Sequence, residues 1–241
     1  MVTAGTIPGL TMALRRAATD VYQHSIRFVP LNLVFGFAAA ALVWVALAGL
    51  PIPALIAAPL LALPAVAIAR LAALVTRGAD VVLSDAWVAI RELAVPSLVV
   101  GSVATLATVV LASNVVAGFG GAGVLSAGLA IASAWGLVAL WLGALPVLVI
   151  LADPARPGAG LTGALGGGAL LLLAAPGRLV RLSIAVTCIT VIGTILGAAI
   201  LTVGLAYAVA VSARVVLPLA DRWISAPLAV PVVEVGRADI R

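Results

Sequence analysis

The sequence holds one cysteine, one histidine and no lysine, and only 9% of its 241 residues are charged. With Cys188 alone inside an apolar run, neither a disulfide framework nor a cysteine-based metal site can be assembled. With His24 alone, a histidine-rich metal site fails too, and no cofactor is expected. The scarcity of charge excludes a water-soluble surface, because ordinary soluble domains carry about 25% charged residues. A phosphate-binding loop is also missing: Gly120-Gly121-Ala122-Gly123 has no following lysine. Ser84-Asp85 lacks a partner histidine, and Asp80 and Asp85 fall in a solvated loop, so no catalytic constellation emerges and no enzyme is expected.

What is present is apolar, at 65% of the chain. The charges are clustered, and between the clusters lie charge-free stretches of about 20 residues, the length that spans the hydrocarbon core as a helix. Lipid offers no partners to bare backbone groups, so a spanning segment is a helix or part of a closed barrel. The runs are continuous rather than alternating, which excludes the barrel. The expected fold class is therefore all-α, a polytopic transmembrane helix bundle.

The runs place crossings at 30–50, 51–69, 97–117 and 124–151, followed by an uncharged stretch over 182–213. That last stretch is long for one helix, and two short crossings at 182–197 and 199–217 give six crossings in all; the alternative is five. The first run is longer than the about 7–15 residues of a signal-peptide core and reads as a retained helix. Residues 1–29 form an N-terminal segment and 218–241 a C-terminal tail.

All thirteen basic residues are arginine, which with the Ala, Val, Gly and Leu richness points to a GC-rich bacterial genome. Arg15, Arg16 and Arg27 precede the first run, Arg70, Arg77 and Arg91 follow the second, and Arg156, Arg178 and Arg181 follow the fourth. The alternate loops, 49–53 and 118–123, have no charge. By the positive-inside rule the N-terminus and the two long loops are cytoplasmic, and the protein is expected in the bacterial inner membrane. The net charge of +5 therefore reads as orientation rather than nucleic-acid binding.

Two parts of the chain look alike. Leu63-Pro64-Ala65 leads into a segment ending at Ala94-Val95-Pro96, and Leu145-Pro146-Val147 leads into one ending at Ala174-Ala175-Pro176. Each unit is an inward helix with a proline, a cytoplasmic interfacial helix (83–95 or 161–175), and a proline where the next span begins, giving a parallel pseudo-repeat. In the first interfacial helix Leu83, Trp87 and Ile90 share a face fit for docking a partner, and Ser84 or Asp85 is placed to cap the N-terminus. Asn32 is a candidate intramembrane polar contact, set against an interfacial asparagine bonded to water. Gly193 and Gly197 form a Gly-x-x-x-Gly pair suited to helix packing or to a turn. His24 reads as an interfacial anchor.

Leu31-Asn32-Leu33, Leu63-Pro64-Ala65, the Arg77-Gly78 to Arg91 segment, Leu145-Pro146 before Asp153, and Ala175-Pro176-Gly177-Arg178-Leu179 together resemble the YesL-like family of bacterial polytopic membrane proteins. The resemblance runs over about residues 20–222 through short apolar motifs, and the second cytoplasmic segment departs from it in being much less polar. It implies a small membrane protein of unknown activity often associated with carbohydrate uptake systems. The expected function is an accessory or assembly subunit of such a transport system; the alternative is a pore-forming permease or flippase-like subunit. Expected partners are the lipid bilayer, and a transporter subunit or a second copy of the chain. No charged group lies in the middle of a proposed span, which counts against an ion-coupled carrier.

The arginine distribution predicts a labelling pattern. Cysteines placed at Ala122 and Gly49 react with an impermeant thiol reagent added outside, and cysteines at Ala79, Ala159 and Ala238 do not. External labelling at Ala238 alone replaces six crossings by five, and external labelling at Ala79 reverses the orientation.

Overall fold

The computed structural model describes residues 9–121, 123–156, 160–195 and 203–224. Every regular element among them is a helix: α1 Leu10–Gln23, α2 Ser25–Leu47, α3 Pro51–Ala57, α4 Ala62–Thr76, α5 Leu83–Gly120, α6 Val124–Ala152, α7 Gly160–Ala174, α8 Pro176–Ile195 and α9 Leu205–Trp223. One turn of 3-10 helix, Ala58–Leu61, joins α3 to α4 where Pro59 interrupts the α-helical bonding. Five stretches are long and apolar enough to cross a membrane: Ser25–Leu47, Pro51–Thr76, Leu83–Gly120, Val124–Ala152 and Pro176–Gly193. The chain is a multi-pass helical membrane protein.

Short caps fold the spans into antiparallel pairs. After α4, Gly78 takes φ +74°, so that Ala79 N–H bonds the Leu74 carbonyl at 3.0 Å and Gly78 N–H bonds Val75 at 3.1 Å. This left-handed cap suits glycine, which has no Cβ to clash. The start of α5 is held by Asp85, whose carboxylate accepts the Val82 N–H at 2.8 Å. Between the two candidates, Asp85 is therefore the capping group, acting from the third helical position.

The expected separation of an interfacial helix at 83–95 from a span at 97–117 is corrected: both lie in α5, a continuous helix of 38 residues. Pro96 cannot donate to the Glu92 carbonyl, yet the helix runs through it. The buried Ser97 hydroxyl donates to the Ala94 carbonyl at 3.0 Å, giving this turn a side-chain bond. The corresponding break after 161–175 is retained, with Ala175 outside regular helix and Pro176 opening α8. There Gly177 follows the proline and supplies no side chain. At 1.5 Å per residue α5 is about 57 Å long, more than a hydrocarbon core of about 30 Å requires.

The last apolar stretch carries two helices, α8 and α9, of which α8 alone is among the candidate spans. The second helix is α9 at 205–223 rather than 199–217, and residues 196–202, with Gly197, lie outside the described residues. The end of α9 (Leu219, Arg222, Trp223) shares a cavity with the start of α8 (Pro176, Gly177, Arg178), so the two helices run antiparallel. Helix α9 is buried from Ala206 to Ala220 on nearly every side. It packs on α1, α4 and α6, and with the inner halves of α4 (64–75) and α6 (146–152) it forms the core.

A helix at 10–23 was not anticipated within the N-terminal segment. It buries Ala13, Ala17 and Val21 against α9, and Arg15, Arg16 and Thr19 fall on the exposed side. Helix α7 packs closely because its glycines bring it against its neighbours: a Cβ on Gly168 would lie 2.6 Å from Val147 Cγ2, and one on Gly167 2.7 Å from Ile224 Cδ1.

The α5–α6 hairpin closes equally tightly at Gly118, where a Cβ would meet the Ser126 carbonyl oxygen at 2.6 Å. Gly118→Ala is expected to destabilise the protein by about 1–3 kcal/mol, the usual cost of overpacking. Gly128→Ala, where nothing lies within 4 Å, is the control expected to leave the melting temperature in detergent unchanged or slightly raised.

Candidate functional site

Charged side chains from three separated parts of the chain meet at one end of the bundle. Arg77 follows α4, Asp153 follows α6, Arg156 lies three residues further on, and Asp221 is in the last turn of α9. The Arg77 guanidinium donates through Nε to Asp153 Oδ1 at 3.2 Å and through Nη2 to Asp153 Oδ2 at 2.6 Å. The same guanidinium reaches Asp221 through Nη1 at 2.6 Å and Nη2 at 2.9 Å. Arg156 closes the ring, with Nη2 at 2.7 Å from Asp221 and Nε at 3.2 Å from Asp153.

This cluster is charge-balanced, two arginines against two aspartates, and Asp153 has a fully buried side chain. Hydrogen bonds to Asp221 and then to Asp153 hold Arg77 protonated well above its ordinary range, against the opposing effect of burial. Burial pushes the Asp221 carboxyl up, but the hydrogen bonds from Arg77 and Arg156 outweigh it, and the group ends below the usual carboxylate range. Carboxylates held ionised and occupied by guanidinium donors make poor general acids or bases. The arrangement ties α4, α6 and α9 together.

A second pair works the same way between α1 and α9. Arg214 donates through Nε and Nη2 to the two oxygens of Asp20, both at 2.8 Å. The Tyr207 hydroxyl donates to the Leu14 carbonyl at 3.2 Å, so α1 and α9 are bonded at two heights. Asn32 completes the set. It is fully buried, and its Oδ1 accepts the Ala206 N–H at 2.8 Å, which caps the start of α9 across the bundle. The helix-to-helix reading of Asn32 thus describes its place, and the water-bonded interfacial reading does not.

Leu83, Trp87 and Ile90 stand at i, i+4 and i+7 on one side of α5, but they are not equally open. Leu83 and Trp87 point outward and are more than half exposed or nearly so, at 50% and 57%, whereas Ile90 is partly buried against the core. The inward face of this part of α5 is Ala86, Ala89 and Leu93. Arg91 stacks over the Trp87 ring at 5.2 Å, and Arg70 stands 3.8 Å from Glu92. Gly193 is buried at the end of α8, and its partner Gly197 lies outside the described residues. His24 sits between α1 and α2, with Nδ1 2.9 Å from Arg27 Nη1.

Two cavities adjoin these elements. One, of about 470 Å³, is a wholly apolar groove between α5, α6 and α7, walled by Val103, Ala139, Gly143, Leu165 and Leu172. The other, of about 420 Å³, lies between α4, α5 and the residues that follow α6 and includes Arg70, Glu92, Asp153 and Arg156. Among the described residues no group of three or more His, Cys, Asp or Glu is placed to hold a metal ion. No family model matches the chain, and neither curated proteins nor solved structures provide a match.

The charged cluster predicts a stability phenotype. Arg77→Gln leaves the buried Asp153 with Arg156 alone and is expected to cost about 2–4 kcal/mol, somewhat below the full cost of breaking a wholly buried pair because Arg156 remains and the site is partly open. Because the folded Asp221 carboxyl lies below its unfolded value of about 3.9, its contribution is present above that pH and is lost as the pH falls through the folded value. The stability difference between wild type and Asp221→Asn, followed by thermal melts in detergent, therefore shrinks on acidification below about pH 3.9.

Proposed function

We propose that this protein is a non-catalytic accessory or assembly subunit of a bacterial membrane transport system, inserted in the inner membrane with its N-terminus in the cytoplasm. The observation that carries this reading is the projecting start of α5. Val82, Leu83, Trp87 and Val88 are exposed there, on a helix that continues beyond the hydrocarbon depth, where an apolar surface needs another occupant than lipid tails. The inward side of the same turns is fixed to the core, so the exposed side is presented rigidly. The YesL-like resemblance favours a carbohydrate uptake system as the partner, and the arginine distribution favours a cytoplasmic position for the face.

The permease or flippase reading has less to support it. Four of the five buried polar side chains among the described residues are committed to bonds within the bundle: Asn32 caps α9, Ser97 and Ser212 bond carbonyls of their own helices, and Asp153 belongs to the ion-pair cluster, Ser133 being the fifth. A conduit needs polar groups that turn toward a continuous path.

Docking is tested by co-purification. Trp87→Glu removes a contact worth roughly 1.5–3 kcal/mol and adds a charge to an apolar surface, and it is expected to abolish recovery of the transporter subunit in mild detergent. Asp85→Asn retains an acceptor for the Val82 N–H and is expected to recover the partner normally. Equal recovery with wild type and Trp87→Glu, at equal membrane expression, rejects the reading. Recovery of only a differently tagged copy of the same chain replaces the transporter partner by a homo-oligomer.

A further inference from the structure

Where α7 gives way to α8, a cavity of about 300 Å³ opens against the last turn of α9, walled by Ala174, Ala175, Pro176, Leu219 and Trp223. Three arginines line it: Arg178, Arg181 and Arg222. None of the three has a carboxylate within ion-pair distance among the described residues, in contrast to Arg70, Arg77, Arg156 and Arg214, all of which do. Arg181 is steered by a bond from its Nε to the Gly177 carbonyl at 3.1 Å, and Arg222 stacks near the Trp223 ring at 5.7 Å. Arg178 has a buried Nη1 with no hydrogen-bond partner.

We infer that this cavity binds the phosphate of an anionic phospholipid headgroup, with Arg178 as its innermost contact. A buried guanidinium nitrogen without an acceptor is costly, and three unopposed positive charges around one cavity leave the site short of an anion. The N-terminus of α8 begins at the cavity, so its partial positive charge adds to theirs. Guanidinium groups match the geometry of phosphate oxygens.

The source of the phosphate follows from where the cavity lies and from its walls. Helix α8 is a membrane-spanning candidate from Pro176 onward, which puts its first turn at headgroup depth. Leu219, Trp223 and the alanines would gain nothing from free phosphate, but they suit the glycerol and upper acyl portion of a lipid. Basic pockets between spanning helices at this depth are a recurrent form of headgroup recognition.

Native mass spectrometry and thermal melts of the full chain, purified in detergent and supplied with phosphatidylglycerol or phosphatidylcholine, test the assignment. Wild type is expected to retain phosphatidylglycerol preferentially and to gain thermal stability from it. Arg181→Gln alters an exposed residue and leaves the fold intact, and it is expected to weaken retention by about tenfold. Arg178→Gln is expected to weaken it further, Arg178→Lys to weaken it less, and Arg91→Gln, remote from the cavity, to leave it unchanged. Equal retention of the two lipids, or equal retention by wild type and Arg181→Gln, overturns the proposal. Protection of wild type by inorganic phosphate alone to the same extent as by phosphatidylglycerol overturns the lipid assignment. The readout is independent of partner recovery through Trp87, so this site and the docking face fail separately.

Discussion

Arg77 bridges Asp153 and Asp221, and much of the architecture depends on that bridge. The three residues end α4, α6 and α9, elements far apart in sequence that lipid alone would not hold in register. Between transmembrane helices there is no hydrophobic driving force, since lipid tails are as apolar as leucine. Association must come from close packing and from polar bonds. Here the packing is done by small residues, alanine along α9 and glycine along α7, and the polar bonds are concentrated at the charged end. A guanidinium that serves two carboxylates fixes three helix ends at once, and Arg156 keeps the cluster neutral. The buried Asp153 carboxylate is tolerable only because Arg77 and Arg156 surround it.

The consequence is a molecule with two unlike halves. Toward the charged end, α1, α4, α6 and α9 pack so closely that side chains such as Ile68, Leu71, Ile150 and Leu217 are almost fully buried. Toward the charge-free loops, Trp44, Leu47, Ile52, Val116, Phe119 and Leu125 lie on the outside, where bilayer covers them. Helix α9 belongs to the first half. It holds a charge pair midway, Arg214 with Asp20, and its two ends are bound by Asn32 and by Arg77. Its apolar faces are inside the protein, and Arg214 and Asp221 are paired there, while Arg222 stands in the last turn at the cavity beside α8.

The spans were legible in the sequence because length and lack of charge are sufficient signals, and so were the charge-free turns, where Gly49 and Gly123 take positive φ. The role of α1 was obscured because its buried stripe is Ala13, Ala17 and Val21, small residues that give little periodic contrast, although the 3.6-residue spacing was there to be read. Pro96 was read as a boundary by the same reasoning that holds at Pro176. The difference is the following residue, a serine that bonds back to the helix in one case and a glycine that cannot in the other. Leu83, Trp87 and Ile90 fall on one side of the helix as the spacing requires, but Ile90 is partly covered by the core, because periodicity defines a face without saying which neighbour covers part of it. Asn32 with Ala206, Asp20 with Arg214, and Arg77 with Asp153 and Asp221 are pairs separated by 76 to 194 positions. One sequence contains the members of such pairs without their pairing.

The division of the arginines follows from the same physics. Those that face the core are matched: Arg77 and Arg156 with Asp153 and Asp221, Arg214 with Asp20. A charge carried into a low-dielectric interior without a counter-ion would raise the energy of the fold by several kcal/mol. The arginines at the α7–α8 junction and the end of α9 have no such match within the described residues, and Arg178 and Arg181 lie in the first turns of a candidate span. Positive residues that fix the orientation of a membrane protein do so by attraction to the negative bilayer surface. The placement of Arg178, Arg181 and Arg222 around one concave site turns a diffuse attraction into a local one. Among the described residues, Asp20, Asp153 and Asp221 are the carboxylates that neutralise the interior arginines.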